Sequence, residues 1–164
     1  MAQERYWKEL YQLKVHINYV EAHIHEAEKR DRHIKIFMAV TSSASIGAWA
    51  IWKELSFLWG GIIALSQVLA AISPHLPYKT RLKTYSSVLH ELEELFIQSE
   101  AKWHDIALGK HDESEINKAR TNLRLQKHKI LKKNLPSSVI PDDTEKAEKA
   151  EELALNYFST FYPA

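Results

Sequence analysis

The chain of 164 residues contains no cysteine and only four glycines. Without cysteine there are no disulfides, no thiol catalysis and no thiolate metal sites. Glycine is too sparse for a phosphate-cradling loop, and neither H-E-x-x-H nor G-x-S-x-G occurs. A strong charge of either sign is also missing. Twenty-two Lys and Arg against twenty-one Asp and Glu leave a formal net charge of +1, so no global field points to nucleic acid. The one local basic run, Lys127, Lys129, Lys132 and Lys133, reads as a solvated or lipid-facing helix end. No stretch shows the alternation of a strand. These absences leave an all-α chain with no catalytic constellation, no cofactor motif and no direct nucleic-acid-binding motif.

Charge is missing locally as well, in two apolar stretches set back to back. Residues 36–52 (IFMAVTSSASIGAWAIW) hold no Asp, Glu, Lys or Arg, and neither do residues 55–76 (LSFLWGGIIALSQVLAAISPHL). Only Lys53 and Glu54 separate them. As helices they are about 25 Å and about 33 Å long, against a hydrocarbon core of about 30 Å. Read this way, residues 36–76 form a transmembrane hairpin. The mean hydropathy of −0.36 conceals it, because the remainder is so polar. The alternative is a buried hairpin inside a soluble helical bundle, although a core helix normally keeps one polar face.

Basic residues flank the hairpin on both sides: Lys29, Arg30, Arg32 and Lys35 before it, Lys79, Arg81 and Lys83 after it. The positive-inside rule then places both termini in the cytoplasm and the turn outside. Trp49, Trp52 and Trp59 gather at the turn, where an outer aromatic belt would lie, and His75 and Tyr78 mark the inner interface. The first 33 residues are too charged for a secretory signal peptide.

At 100° per residue, Thr41, Ser42 and Ser45 share one arc of the first span, and Gly60, Ala64, Gln67 and Ala71 share one arc of the second. Two readings follow. Small and polar residues let helices pack closely and bond across an interface. The same faces would line a water-filled path in an oligomer, because two helices per subunit cannot enclose one. An amide such as Gln67 near mid-membrane needs a partner or water. At the pore mouth, Lys53 and Glu54 face opposite expectations: a carboxylate ring selects cations, and the adjacent lysine cancels much of its field. The turn resembles the acidic turn of calcium uniporter pores only in outline, since their W-D-x-x-E-P pattern is absent.

Outside the hairpin, residues 1–35 read as a charged N-terminal helix with Trp7, Leu10, Tyr11, Lys14, Ile17, Val20 or Glu21, Ile24 and Ala27 on its apolar line, running unbroken into the first span. Residues 77–134 read as a helical hairpin. In its first helix, 78–108, the positions Tyr78, Leu82, Tyr85, Leu89, Leu92, Phe96, Ser99, Trp103 and Ile106 step by 4 and 3 as a heptad seam, within or between subunits. Gly109 is a helix stop, and Asp112 with Glu115 is a capping box opening the second helix. Residues 135–144 form a linker, and 145–164 a last helix, which either folds back or exchanges with a neighbouring subunit. Its start is capped by Asp142, Asp143 or Thr144. Its apolar side holds Ala150, Leu153, Ala154, Tyr157, Phe158 and Phe161.

Nine histidines raise the question of metal, but His23 and His25 fall on different helix faces, and Glu100 with His104 is a lone i,i+4 pair. Zinc sites need more ligands than that, so no metal site is expected.

The order of elements resembles the SLATT family of bacterial two-span proteins. The charged helix from Glu4 to Lys35, the two spans, the near-absent turn and the long helix from Tyr78 carry the resemblance over residues 1–110. It implies an oligomeric, pore-forming membrane effector in the bacterial inner membrane, which arrests or kills a phage-infected cell in abortive infection. It implies a homo-oligomer in a lipid bilayer, gated by a separate sensor protein or nucleic-acid complex, and it supplies no catalytic residues. Two other functions fit the same sequence: a membrane-anchored adaptor subunit recruiting a partner enzyme, and a small cation channel.

Overall fold

The computed structural model describes residues 2–51, 56–72, 77–135 and 140–162. They form an all-α fold of five helices: α1 (Ala2–Ile51), α2 (Ser56–Ile72), α3 (Pro77–Ala107), α4 (Glu113–Asn134) and α5 (Thr144–Phe161). No strand occurs among the described residues. The chain divides into two compact units, Met1–Ile24 with Lys83–Ala164, and His25–Leu82. The boundaries differ from the charge-based ones at 35 and 77. The reason lies in α1: no residue from His25 to Val40 is buried, so the bundle core stops at Ile24.

In the first unit, α1 buries Tyr6, Leu10, Leu13, Ile17, Val20 and Ile24, a run of 4-3-4-3-4 steps that makes a single seam. It packs antiparallel to α3. Gln3 Nε2 donates to the Ile106 carbonyl at 3.1 Å, the Tyr6 hydroxyl donates to the Ser99 carbonyl at 3.0 Å, and the His23 and Tyr85 rings lie 6.4 Å apart. The α3 heptad seam therefore pairs inside the chain. Tyr85, Leu92, Phe96, Ser99 and Ile106 are buried, while Leu82, Leu89 and Trp103 are only half-buried. Val88 and Leu95 are buried in addition. The buried arc is wider than one heptad stripe because α3 meets more than one neighbour.

The same holds for α1. Trp7, Tyr11 and Asn18 face α5: Trp7 and Phe158 are 4.8 Å apart between ring centres, Tyr11 and Phe158 are 5.8 Å apart, and Asn18 Nδ2 donates to the Ala150 carbonyl at 3.1 Å. Glu9 and His16 face α4, through Arg124 at 3.6 Å and Lys127 at 2.7 Å. At 100° per residue these two faces of α1 are about 170° apart. So α4 and α5 flank the central α1–α3 pair on opposite sides. Trp7 and Tyr11, read from sequence as part of the main stripe, belong to this second face.

Helix ends follow local chemistry. Gly109 adopts φ +72, which only glycine takes without strain. Its N–H reaches the Ile106 carbonyl at 3.0 Å and the Lys110 N–H reaches the Asp105 carbonyl at 3.2 Å, closing α3 as a Schellman motif. Asp112 Oδ1 accepts from the Glu115 N–H at 2.8 Å, and Glu115 Oε2 accepts from the Asp112 N–H at 3.1 Å, completing the capping box of α4. Among the three candidates for the α5 cap, Asp143 takes the role, accepting from the Lys146 N–H at 3.1 Å. Tyr19 of α1 fixes that cap by donating to the Pro141 carbonyl at 2.6 Å and accepting from the Asp143 N–H at 2.9 Å. The last helix folds back on its own chain, burying Ala150, Ala154 and Phe158 but leaving Leu153 and Phe161 exposed.

The second unit holds the rest of α1, all of α2 and the first turn of α3. Its α1 segment carries two i,i+4 pairs with the acid first, Glu26–Arg30 and Asp31–Lys35, the order that suits a helix. Among the described residues no helix is long and apolar enough to cross a membrane. As described, α2 has 17 residues, about 25 Å of helix against a core of about 30 Å. Both sequence-defined spans run on into residues 52–55 and 73–76, which lie outside the described residues.

Candidate functional site

The polar face read from the sequence falls in the second unit. Thr41 is buried, and its Oγ1 donates within its own helix to the Phe37 carbonyl at 2.9 Å and to that of Met38 at 3.1 Å. Ser42 and Ser45 lie on α1, with side chains outside the described residues, as are Lys53 and Glu54 of the turn. On α2, Gly60, Ala64 and Gln67 are all exposed. A Cβ added at Gly60 or Gly61 would meet nothing within 4 Å, so among the described residues no neighbour approaches closely there. The side facing α1 is instead that of Ser66 and Ala70. With Gln67, these line a shallow groove of about 360 Å³ shared with Lys35, Met38 and Ala39. Ser66 Oγ donates back to the Ile63 carbonyl at 2.8 Å, so this side is polar but self-satisfied.

Around these positions many apolar side chains are exposed. Phe57 is 96% exposed, and Leu58, Leu65, Val68 and Ile72 of α2 are exposed, as are Ile36, Phe37 and Val40 of α1. No residue of α2 is charged. An uncharged helix this rich in apolar residues belongs in a core or in lipid, and none of the described side chains of α2 is buried.

The first unit holds the ionisable clusters. Glu100 Oε1 accepts from the Tyr157 hydroxyl at 2.7 Å and from that of Tyr162 at 3.0 Å. It thus pins α5 to α3 instead of pairing with His104. Burial first, and the Glu100 carboxylate second, push the Tyr162 phenol up to about 12 and hold Tyr157 higher still. Among the described residues no group of three or more His, Asp or Glu is placed to hold a metal ion.

Between α1 and α4, the Lys127 ammonium lies 2.7 Å from His16 Nδ1, which also faces the Gln12 carbonyl at 3.0 Å. Nδ1 serves one of these partners at a time: carrying its proton it donates to the Gln12 carbonyl, and without it accepts from the Lys127 ammonium, which only donates. Burial first, then the Lys127 charge, lower the His16 pKa; burial lowers that of Lys127, with Glu9 opposing and Arg124 adding. A histidine depressed in the fold binds fewer protons there than in the unfolded chain. Its stabilising contribution is therefore complete above the ordinary imidazole value of about 6.5 and is lost as pH falls through the folded value. Urea titrations at pH 7 and pH 5 are expected to show lower stability at pH 5, and His16→Gln is expected to flatten that difference.

These clusters escape a linear reading because their members are far apart in the chain. His16 and Lys127 are 111 residues apart, and Tyr157 and Glu100 are 57 apart. The only sequence signal is that each is a polar residue beside a seam position. Against protein-family models, curated proteins and solved structures, the chain gives no match.

Proposed function

We propose that the protein is a membrane effector whose α1–α2 hairpin enters the bilayer and, assembled from several copies, forms a solute path. One observation carries this reading. An uncharged, apolar helix exposes its side chains on nearly every side, Phe57 most of all, in a chain whose buried core is built from other residues. Lipid is the surrounding in which that arrangement costs least. Matched basic flanks support an orientation with both termini in the cytoplasm, at the bacterial inner membrane. In an oligomer the exposed Gly60, Ala64 and Gln67 would face neighbouring copies or water, joined on α1 by Ser42 and Ser45. The SLATT-like order of elements supports a role as the pore-forming half of an antiphage system, released by a separate sensor.

Solute release from liposomes containing the purified chain tests this reading. Ions and dyes of graded size are expected to leave with a sharp cutoff. Gln67→Leu is expected to assemble equally and lose most of the release, because an apolar side chain at that depth cannot hold water. Release of every size alike, or none even from assembled protein, would sink the pore. A tether is the second reading, favoured by Leu153, Leu155 and Phe161 exposed on α5 as a surface for a partner. Exchanging residues 36–76 for an unrelated hairpin would abolish a pore and leave a tether working.

A further inference from the structure

A cleft of about 580 Å³ lies between α1, α3 and α4, within the size range of small-molecule sites. Tyr6, Leu95, Ala119 and Leu123 make its apolar floor. Lys102 sits in its wall at a telling register. Val88, Leu92, Leu95, Ser99 and Ile106 are buried in 4-3 steps along α3, and the step between Ser99 and Ile106 falls on Lys102. A lysine at a seam position costs stability, and it is half-buried here.

Its ammonium is held in place without being neutralised. Lys102 Nζ donates to His111 Nε2 at 2.8 Å, so His111 carries its proton on Nδ1, which donates to Glu115 Oε2 at 3.1 Å. That same oxygen accepts the Asp112 N–H of the capping box. The rigid start of α4 thus fixes the imidazole, and the imidazole fixes the lysine. Neither Lys102 nor Lys118, the second cation of the cleft, has a carboxylate partner within ion-pair distance among the described residues. Glu115 is the one carboxylate in the lining, and it is already engaged. Asn122 and Gln126 add amide groups to the same wall. Two cations, amide donors and an apolar floor in one concavity are complementary to an oxyanion.

The geometry points to this cleft as a binding site for a small soluble phosphate- or polyphosphate-bearing solute, its oxyanion held by Lys102 and Lys118. The site stands independently of the membrane reading, since every residue in it belongs to the helical bundle. Calorimetric titration of the full chain in nonionic detergent with inorganic pyrophosphate, at fixed ionic strength, tests it. Saturable binding near one equivalent is expected. Lys102→Gln and Lys118→Gln are each expected to weaken it about tenfold, the usual loss for one charge-assisted hydrogen bond. Gln126→Glu, which adds a competing carboxylate, should weaken it too, and Lys129→Gln outside the lining should not. Circular dichroism confirms that each variant keeps its helices. Absence of saturable binding, or equal binding by all variants, would overturn the site. So would binding only to vesicles of anionic phospholipid with none to pyrophosphate, since the phosphate would then come from a headgroup.

Discussion

Replacing Leu92 with alanine is expected to destabilise the bundle by about 2–5 kcal/mol, while Leu89→Ala in the next turn costs about 1 kcal/mol. The two residues are chemically identical and three apart on α3. Leu92 is 0% exposed and Leu89 half-buried. Deleting a fully enclosed side chain leaves a cavity that close-packed neighbours cannot refill, whereas a half-buried one loses only part of its transfer free energy. Leu92 also lies opposite α1, whose Leu10 and Leu13 are themselves at 0% exposure. Leu13→Ala should therefore match Leu92→Ala in size. Urea-induced unfolding followed by circular dichroism measures all three. Equal losses at 89 and 92 would mean that α3 packs along the simple heptad read from sequence and not along the observed, wider arc.

Phe158→Ala is the second large effect, about 3–5 kcal/mol, and it should be local in its consequences. Phe158 joins α5 to both central helices: its ring lies 4.8 Å from Trp7, 5.8 Å from Tyr11 and 6.3 Å from Phe96. Beyond it, α5 is tied down by the Asn18 bond, the two tyrosines on Glu100 and the Tyr19 bonds at its cap. Each such hydrogen bond contributes only about 1 kcal/mol net, so the aromatic anchor decides whether the helix stays docked. Hydrogen exchange should show residues 144–161 losing protection ahead of α1 and α3. Leu155→Ala, exposed on the same helix, should change stability by less than about 0.5 kcal/mol. If Phe158→Ala instead unfolds all helices together, α5 is part of one cooperative core.

Local features were legible in the sequence. Gly109 and the Asp112–Glu115 box each depend on a few neighbouring residues and stand where their pattern puts them, and Asp143 is one of the three caps read for α5. The α3 heptad positions were legible too, but not whether they pair within the chain or between subunits. The α1 stripe was less legible. Tyr6 and Leu13 were passed over for Trp7, Tyr11 and Lys14, because a helix with three neighbours presents several apolar lines and sequence spacing alone does not rank them. Lys14 takes a place on the α5 side by lying over aromatic rings, 4.6 Å from the centre of Tyr157. The Lys102–His111–Glu115 chain was invisible, because the α3–α4 turn brings its members together. On α2, Gly60, Ala64 and Gln67 share an exposed face, as 3–4 spacing requires.

The bundle is assembled from residues 1–24 and 83–164, with residues 25–82 between them in sequence. Synthesis runs in one direction, so this arrangement fixes an order of events. When Ile24 leaves the ribosome, the apolar line from Tyr6 to Ile24 has no partner. At about 5–20 residues per second, roughly 3–12 s pass before Lys83 and the rest of α3 begin to emerge. During that interval residues 25–82 are made while the bundle is still open. Residues 25–82 are therefore complete before α1 has α3 to pack against, and closure of the bundle comes last.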